Sequence, residues 1–398
     1  MIFARHLSDA ALSAAGQNPV VTIMGPRQSG KTTLCRALFP DHEYRSLEAP
    51  DVRSQALGDP RGFLASANRM VIDEVQRAPD LLSYIQDIVD EDGRPGRFIL
   101  TGSQNLLLME SVSQTLAGRV ALLNLLPLSL SELLGREPFD LAQLPRPAPE
   151  ASRAPKRDRW GTLFAGFYPR IHDRGLSPRE WLSDYFRTYV ERDLREVMRV
   201  ADLRAFEDFA RLAAASTAQE LNLSRLASDT GVGQQTARRW LNALEIGFLA
   251  TTLPPHFANF RKRLRKRPRL HFLDTGLICY LLDIPDAETL ARHPLRGAVF
   301  ESFVAAELFK SFVNRRQNAP LYTWRDTSGH EIDILIDLGR KLIPVEVKSG
   351  ETVPADAMRN LSWWTGLHDN PNRQGLLVHG GTRSFRHKHF AVLPWHLA

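Results

Sequence analysis

Between Gly25 and Thr32 the chain reads Gly-Pro-Arg-Gln-Ser-Gly-Lys-Thr, which fits G-x-x-x-x-G-K-(S/T) at every position. Holding a phosphate anion takes main-chain N–H groups turned inward, glycine where the loop curls, and a helix N-terminus beneath. VVTIM before the loop reads as a strand and KTTLCRALF after it as a helix, the order that chemistry needs. Lys31 is expected to bridge the β- and γ-phosphates of a bound nucleotide, and Thr32 to complete a Mg2+ shell. Gly25, Pro26, Arg27, Gln28, Ser29, Gly30, Lys31, Thr32 and Thr33 are the expected nucleotide-binding residues. Some 40 residues on, Met70-Val71-Ile72-Asp73-Glu74 ends an apolar run in two acids. Asp73 is expected to hold the metal, directly or through water, and Glu74 to polarise the attacking water. Thr101-Gly102-Ser103-Gln104 then offers hydroxyl and amide groups to the γ-phosphate or the water. Ser103 is counted with the nucleotide ligands, although spacing does not choose among the four.

A second constellation lies near the other end. Asp333 falls in EIDILID, and Glu346 and Lys348 in LIPVEVK. Strand residues two apart share a face, so Glu346 and Lys348 point together while Val345 and Val347 face the opposite layer. If Gly339-Arg340 is a two-residue hairpin turn, antiparallel partners sum to 679, and Asp333 sits across from Glu346. Carboxylates that close repel unless a divalent cation, Mg2+ or Mn2+, lies between them. A lysine beside them orients or deprotonates water, which is the set that metal-assisted phosphodiester cleavage uses. A surface hairpin of alternating charge is the plain alternative. Glu331 shares the face of Asp333 as a spare or solvated acid.

The elements that must position these groups divide the chain. VVTIM, MVID and FILTG alternate with helical stretches over residues 1–135, which predicts βαβ units and a parallel sheet. Residues 136–160 turn to proline and charge and read as a linker or insertion. Residues 161–260 are helical. Within them a helix holding Leu223, Leu226 and Ala227, a turn at Thr230-Gly231-Val232, and a helix from Gln234 to Leu244 give helix-turn-helix spacing. Thr251 to Pro255 would begin a wing, and Gln234, Gln235, Arg238 and Arg239 would lie on the outer face. Residues 261–398 open with RKRLRKRPR, seven basic side chains among nine, a local field that attracts phosphate backbone. A helix carrying VFESFVAAELF and the strands LYTW, EIDILID, LIPVEVK and GLLVHG follow.

At 398 residues, 43% hydrophobic and 24% charged, the chain excludes whole-chain disorder or fibre and has the length of two or three domains. The net charge of +6 is mild, so the local run carries more meaning than the total. Two cysteines, Cys35 and Cys279, build neither a disulfide framework nor a four-thiolate zinc site. No signal-type stretch or membrane-length apolar run is visible. A cytoplasmic protein without membrane contact is the expectation. Cys35 and Trp363-Trp364 read as packing residues, and His379, His387 and His389 lack ligand spacing and read as surface residues.

GPRQSGKTTL, VIDEVQRAPDLL, FILTGSQNLLL, LAGRVALLNLLPLSLSEL and FAGFYP, in that order, resemble a bacterial and archaeal family of AAA-type ATPases. Those proteins carry a C-terminal domain of uncharacterised function related to PD-(D/E)XK nucleases. The resemblance implies an α/β protein: an N-terminal P-loop parallel-sheet domain, a helical winged-helix middle and a nuclease-like C-terminal domain. It implies that Gly25 to Thr32 is the Walker A loop, Met70 to Glu74 the Walker B strand and Thr101 to Gln104 the sensor region. Arg119 in LAGR resembles the arginine that stabilises γ-phosphate charge, within the chain or on a neighbour's nucleotide; a helix-terminal salt bridge is the other reading. Glu301 matches an extra acid beside the metal, with Asp333, Glu346 and Lys348 as the nuclease core. ATP, Mg2+ and DNA are the implied ligands, and a homo-oligomer is compatible with nucleotide held between protomers. A nucleotide-switched regulator with an inactive nuclease-like fold is the alternative. A P-loop kinase leaves Glu74 and the C-terminal half without purpose.

Overall fold

The computed structural model describes residues 3–103, 115–137, 158–188, 202–256, 267–326, 328–367 and 374–397. Gln104, residues 261–266 of the basic run and most of the proline-rich stretch lie outside them.

Five strands form the N-terminal sheet: β1 (Val20–Gly25), β2 (Glu43–Ser46), β3 (Met70–Asp73), β4 (Phe98–Ser103) and β5 (Val120–Asn124). Their order is β2-β3-β4-β1-β5 and every pairing is parallel, as the alternating composition predicts. A parallel sheet covered on both faces needs apolar side chains on both. Val20, Met24, Ile72 and Leu100 pack on one side with the helix Leu81–Glu91, and Val21, Ile23, Val71 and Ile99 on the other with the helices Ser8–Ala15 and Lys31–Leu38. β2 and β5 are the sheet's edges. β2 reads EYRS, half-buried throughout, and has no strand signature in sequence. Because the strands are parallel, the segments leaving β1, β3 and β4 emerge at one edge, where ligands bind in such sheets.

The middle unit has its two helices at Leu223–Asp229 and Gln234–Ile246. Asn222 caps the first by accepting from the Arg225 N–H, and Gly231, at φ +69°, makes the turn a side chain would strain. Trp240 on the second helix packs edge-on against Phe206 and Phe209 of the helix Leu203–Ala215. Three short strands flank the pair: β6 (Gln219–Glu220), β7 (Ala250–Leu253) and β8 (Arg269–Phe272), antiparallel in the order β6-β8-β7. Thr251 thus lies in a strand whose partner begins with Arg269, the last residue of the basic run.

The C-terminal sheet holds β9 (Leu321–Arg325), β10 (Glu331–Asp337), β11 (Leu342–Lys348), β12 (Gly375–His379), β13 (Phe385–His387) and β14 (Phe390–Pro394), in the order β13-β14-β12-β11-β10-β9. β10 and β11 are antiparallel with Ile334 opposite Val345 and Asp337 opposite Leu342, each pair summing to 679. Leu338 N–H donates to the Lys341 carbonyl, so Gly339-Arg340 is the two-residue turn that fixes this register. The long helix Arg296–Val313 covers one face, and Leu361 and Trp364 of the helix Arg359–Leu367 cover the other. A single apolar core runs from Leu128 through the middle helices to Val345 and Val378, so the middle and C-terminal units are packed as one. Among the described residues no helix is long and apolar enough to cross a membrane.

Candidate functional site

The loop after β1 has the backbone that its sequence demands. Gly25 takes φ +153°, and a Cβ there would lie 2.1 Å from the Leu125 carbonyl oxygen, so only glycine lets the loop pass β5. Gly30, at φ +96°, turns the chain into the helix Lys31–Leu38. Lys31 is buried, and its Nζ donates to the carbonyls of Gly25 (3.0 Å) and Pro26 (2.9 Å). Burial lowers its pKa, opposed by the charges of Glu74 and Asp73. Ser29 is buried with an Oγ that has no partner; Gln28 and Thr33 are exposed, and Arg27 and Thr32 half-buried.

Asp73 ends β3 against this loop. Its carboxylate accepts from Thr32 Oγ1 at 3.0 Å, from the Tyr44 hydroxyl and from Thr101 Oγ1. Thr101 is therefore committed to the acid. Ser103 is placed by the backbone register opposite Gly25. Glu74 stands at φ +60°, a strained conformation for a residue with a side chain, and its carboxylate accepts from Gln76. The loop, Lys31, Thr32, Asp73 and Glu74 thus converge at one sheet edge. A hydroxyl and a carboxylate 3.0 Å apart beside a buried lysine fit a magnesium–triphosphate group.

Behind the loop lies a buried polar chain with no motif of its own. Arg5 donates to the Ser29 carbonyl (2.7 Å) and the Leu126 carbonyl (2.6 Å), and pairs with Glu132 at 3.1 Å. Glu132 closes a capping box with Ser129 on the helix Leu130–Leu134. The Leu130 N–H donates to Glu307 (2.7 Å), which pairs with Lys310 at 3.0 Å, and Lys310 donates to the Leu128 carbonyl at 2.8 Å. Glu307 and Lys310 lie on the helix Arg296–Val313, so hydrogen bonds link the phosphate loop to the helix that carries Glu301.

Arg119 is not brought to this loop. Its carbonyl accepts from Val20 N–H, at the start of β1, which is roughly 16 Å of strand from Gly25 at about 3.3 Å per residue. Its guanidinium is held by Asp90. Within one chain it does not reach the nucleotide loop, because motif spacing says nothing about which end of a sheet a residue occupies.

Glu301, Asp333, Glu346 and Lys348 do converge, around a residue the motif does not contain. Arg269, the first residue of β8, points inward; its Nη1 lies 2.8 Å from Glu301 and 3.8 Å from Asp333, and its Nη2 pairs with Glu331. Asp333 also accepts from Val347 N–H at 2.8 Å, and Lys348 Nζ reaches Glu346 at 2.6 Å. Burial, and then the charge of Asp333, push Glu301 up to about 8 and Glu346 up to about 7. The carboxylates do not fit a divalent cation as they stand, because an arginine already lies among them. Among the described residues no three His, Cys, Asp or Glu side chains are arranged to hold a metal. The sequence placed Arg269 with the phosphate-seeking run; the structure corrects that, since it is buried among acids while Arg267 is exposed.

Two strand residues on, His271 is fully buried, with Nδ1 3.1 Å from Ser302 Oγ and Nε2 unpartnered. Burial, aided by Arg269, pushes its pKa from 6.5 down to about 3. Below pH 6.5 the unfolded chain takes up a proton that the folded chain refuses, so stability falls as pH drops from 6.5 toward 3. The expected slope is about 1.4 kcal/mol per pH unit. Urea midpoints between pH 6 and 4 check this: the native slope should shrink in His271→Asn, and an unchanged slope defeats the assignment.

Gln234, Gln235, Arg238 and Arg239 are exposed on one face of the second helix of the middle unit. Trp364 is buried in the core, and Cys35 is packed, its thiol pushed up to about 12 by burial. His379, read as a surface residue, is instead buried, and its ring bonds the carbonyls of Arg383 and Glu351.

Residues 17–134 match the family model of an AAA domain. Residues 157–288 and 296–398 match two domains of unknown function, DUF8612 and DUF4143. Two curated relatives, uncharacterized proteins of Mycobacterium tuberculosis and Mycobacterium bovis, are each 32% identical over 336 residues, covering 84% of this chain and 71% of theirs. Among solved structures, the Walker-type ATPase of Pyrococcus abyssi is 13% identical with a TM-score of 0.41, covering 70% of this chain and 96% of that one. A STAND-type signal transduction ATPase of Pyrococcus horikoshii, also 13% identical, gives 0.22 over 75% of this chain and 47% of its own. Both are weak likenesses.

Proposed function

Because the chain belongs to the family of these two uncharacterized mycobacterial proteins and residues 17–134 match an AAA domain, we propose that it is a Mg2+-dependent ATPase whose nucleotide state governs how its distal units engage DNA. The observation that carries the first half is the convergence of Lys31, Thr32, Asp73 and Glu74 at one edge of the sheet. Lys31 would exchange two loop carbonyls for phosphate oxygens, and Thr32 with Asp73 would hold the magnesium ion. Bound there, the ion neutralises phosphate charge. Glu74 is the base that orients water once it leaves Gln76, and Thr101 keeps Asp73 aimed. Arg119, paired with Asp90 at the end of the sheet away from its own loop, would have to leave that pair to reach a neighbouring protomer's nucleotide.

The second half rests on the middle unit. A helix-turn-helix followed by a β7–β8 hairpin with basic residues between the strands has the order of a winged helix, with Gln234, Gln235, Arg238 and Arg239 on the outward face. The C-terminal sheet with its acid–lysine strand is read as nuclease-like, and no cleavage step is derived from it. The polar contacts from Ser29 through Arg5 to Glu132, and from the Leu130 N–H beside the Ser129–Glu132 cap to Glu307 and Lys310, supply a route between the units.

Phosphate release with and without duplex DNA tests both halves. The native protein should turn over ATP, faster with DNA. Glu74→Gln should retain nucleotide binding while losing about a hundredfold or more in turnover. An unaltered rate in Glu74→Gln removes its role, and a rate indifferent to DNA removes the coupling.

A further inference from the structure

Four carboxylates, those of Glu301, Glu331, Asp333 and Glu346, meet two cations, Arg269 and Lys348. Five of the six groups belong to the C-terminal unit. Arg269 alone comes from the sheet of the middle unit, where its backbone pairs with Leu253 on one side and Glu220 on the other. It crosses to touch three acids, and its side chain is only 9% exposed. Glu346 is 3% exposed, and its Oε2 has no hydrogen-bond partner, a buried acceptor left over beside the lysine-bound oxygen. A buried carboxylate oxygen without a donor is costly. The cluster thus gathers carboxylate oxygens of the kind hard cations take, with an internal cation standing where such an ion would need to be.

We propose that Arg269 is a built-in plug: its guanidinium occupies the carboxylate cluster in place of a divalent cation and ties the β8 strand to the C-terminal unit, so that metal enters only when Arg269 leaves. Nη1 lies between Glu301 and Asp333, where a cation bridging those two oxygens would sit, and two positive charges do not share that space. Arg269 is also the last of the seven basic residues in RKRLRKRPR. The cluster is closed at rest by a side chain carried on β8. This rests on the proposed reading of the acids as a metal-capable set, and not on the P-loop.

Calorimetric titration of nucleotide-free, full-length protein with MnCl2 tests it. The native chain should show weak or no saturable uptake. Arg269→Gln should gain one site, at least tenfold tighter than any native binding, and the added change Asp333→Asn should abolish that gain. Glu331→Gln, which loosens the hold on Arg269 while leaving Glu301, Asp333 and Glu346 intact, should shift affinity in the same direction by less. It keeps the test decisive if Arg269→Gln fails to fold. Native and variant chains that titrate alike, whether both bind or neither does, overturn the plug, as does a gain that survives Asp333→Asn. Failure of the ATPase reading is separately visible in phosphate release, which these titrations do not use.

Discussion

Lys310→Met is expected to lower the unfolding free energy by about 3–5 kcal/mol, the cost of leaving a buried charge without its partner. Lys310 is 1% exposed, and its ammonium is divided between Glu307, the Leu128 carbonyl and the face of Phe167. Methionine keeps the volume and removes the charge, so Glu307 remains buried with only the Leu130 N–H to satisfy it. Burial already raises the pKa of Glu307, and Lys310 is the largest influence holding it down. Without the lysine the acid should take up a proton, which makes the variant most destabilised at high pH, where deprotonation is forced. Urea denaturation at pH 6 and 8 checks both signs. Converting Glu307 to glutamine in the same chain should restore much of the loss, whereas a single variant as stable as the native protein would show that the pair is not coupled in the folded state.

Lys31→Ala is expected to reduce phosphate release at least a hundredfold, about 2.7 kcal/mol of barrier. This side chain closes the loop by donating to the carbonyls of Gly25 and Pro26. Alanine removes that closure as well as the phosphate contact, so nucleotide affinity should fall together with turnover. The contrast with Glu74→Gln is informative, because glutamine at 74 leaves the loop untouched and should spare binding. Steady-state rates and nucleotide affinity measured on both variants separate the two roles.

What could be seen in sequence was whatever depended on neighbours along the chain. The P-loop needs glycine at fixed offsets, and the β10–β11 register follows from a two-residue turn, so both were legible. Two helices either side of a turn at Gly231 followed from periodicity for the same reason, although the second runs to Ile246 and not Leu244. Arg269 was hidden because a basic residue at the end of a basic run looks alike whether solvated or buried, and its partners are 32 and 62 residues away. Arg5, Glu132, Glu307 and Lys310 were hidden more completely. In sequence each is an ordinary charged residue; packing of the helix Arg296–Val313 against Leu128 and Leu130 brings Glu307 and Lys310 inside, and Arg5 is buried against the Ser29 and Leu126 carbonyls. Arg119 was legible as a residue but not as a location, since the sheet's polarity decides which edge it serves.

The central claim is that the loop between β1 and the helix Lys31–Leu38 holds a magnesium-bound triphosphate. Calorimetric titration of the native chain with Mg-ATP, repeated on Lys31→Ala, tests it most directly. Saturable binding by the native protein that is lost in the variant is the predicted result, and a native chain that gives no binding heat while folded would contradict it.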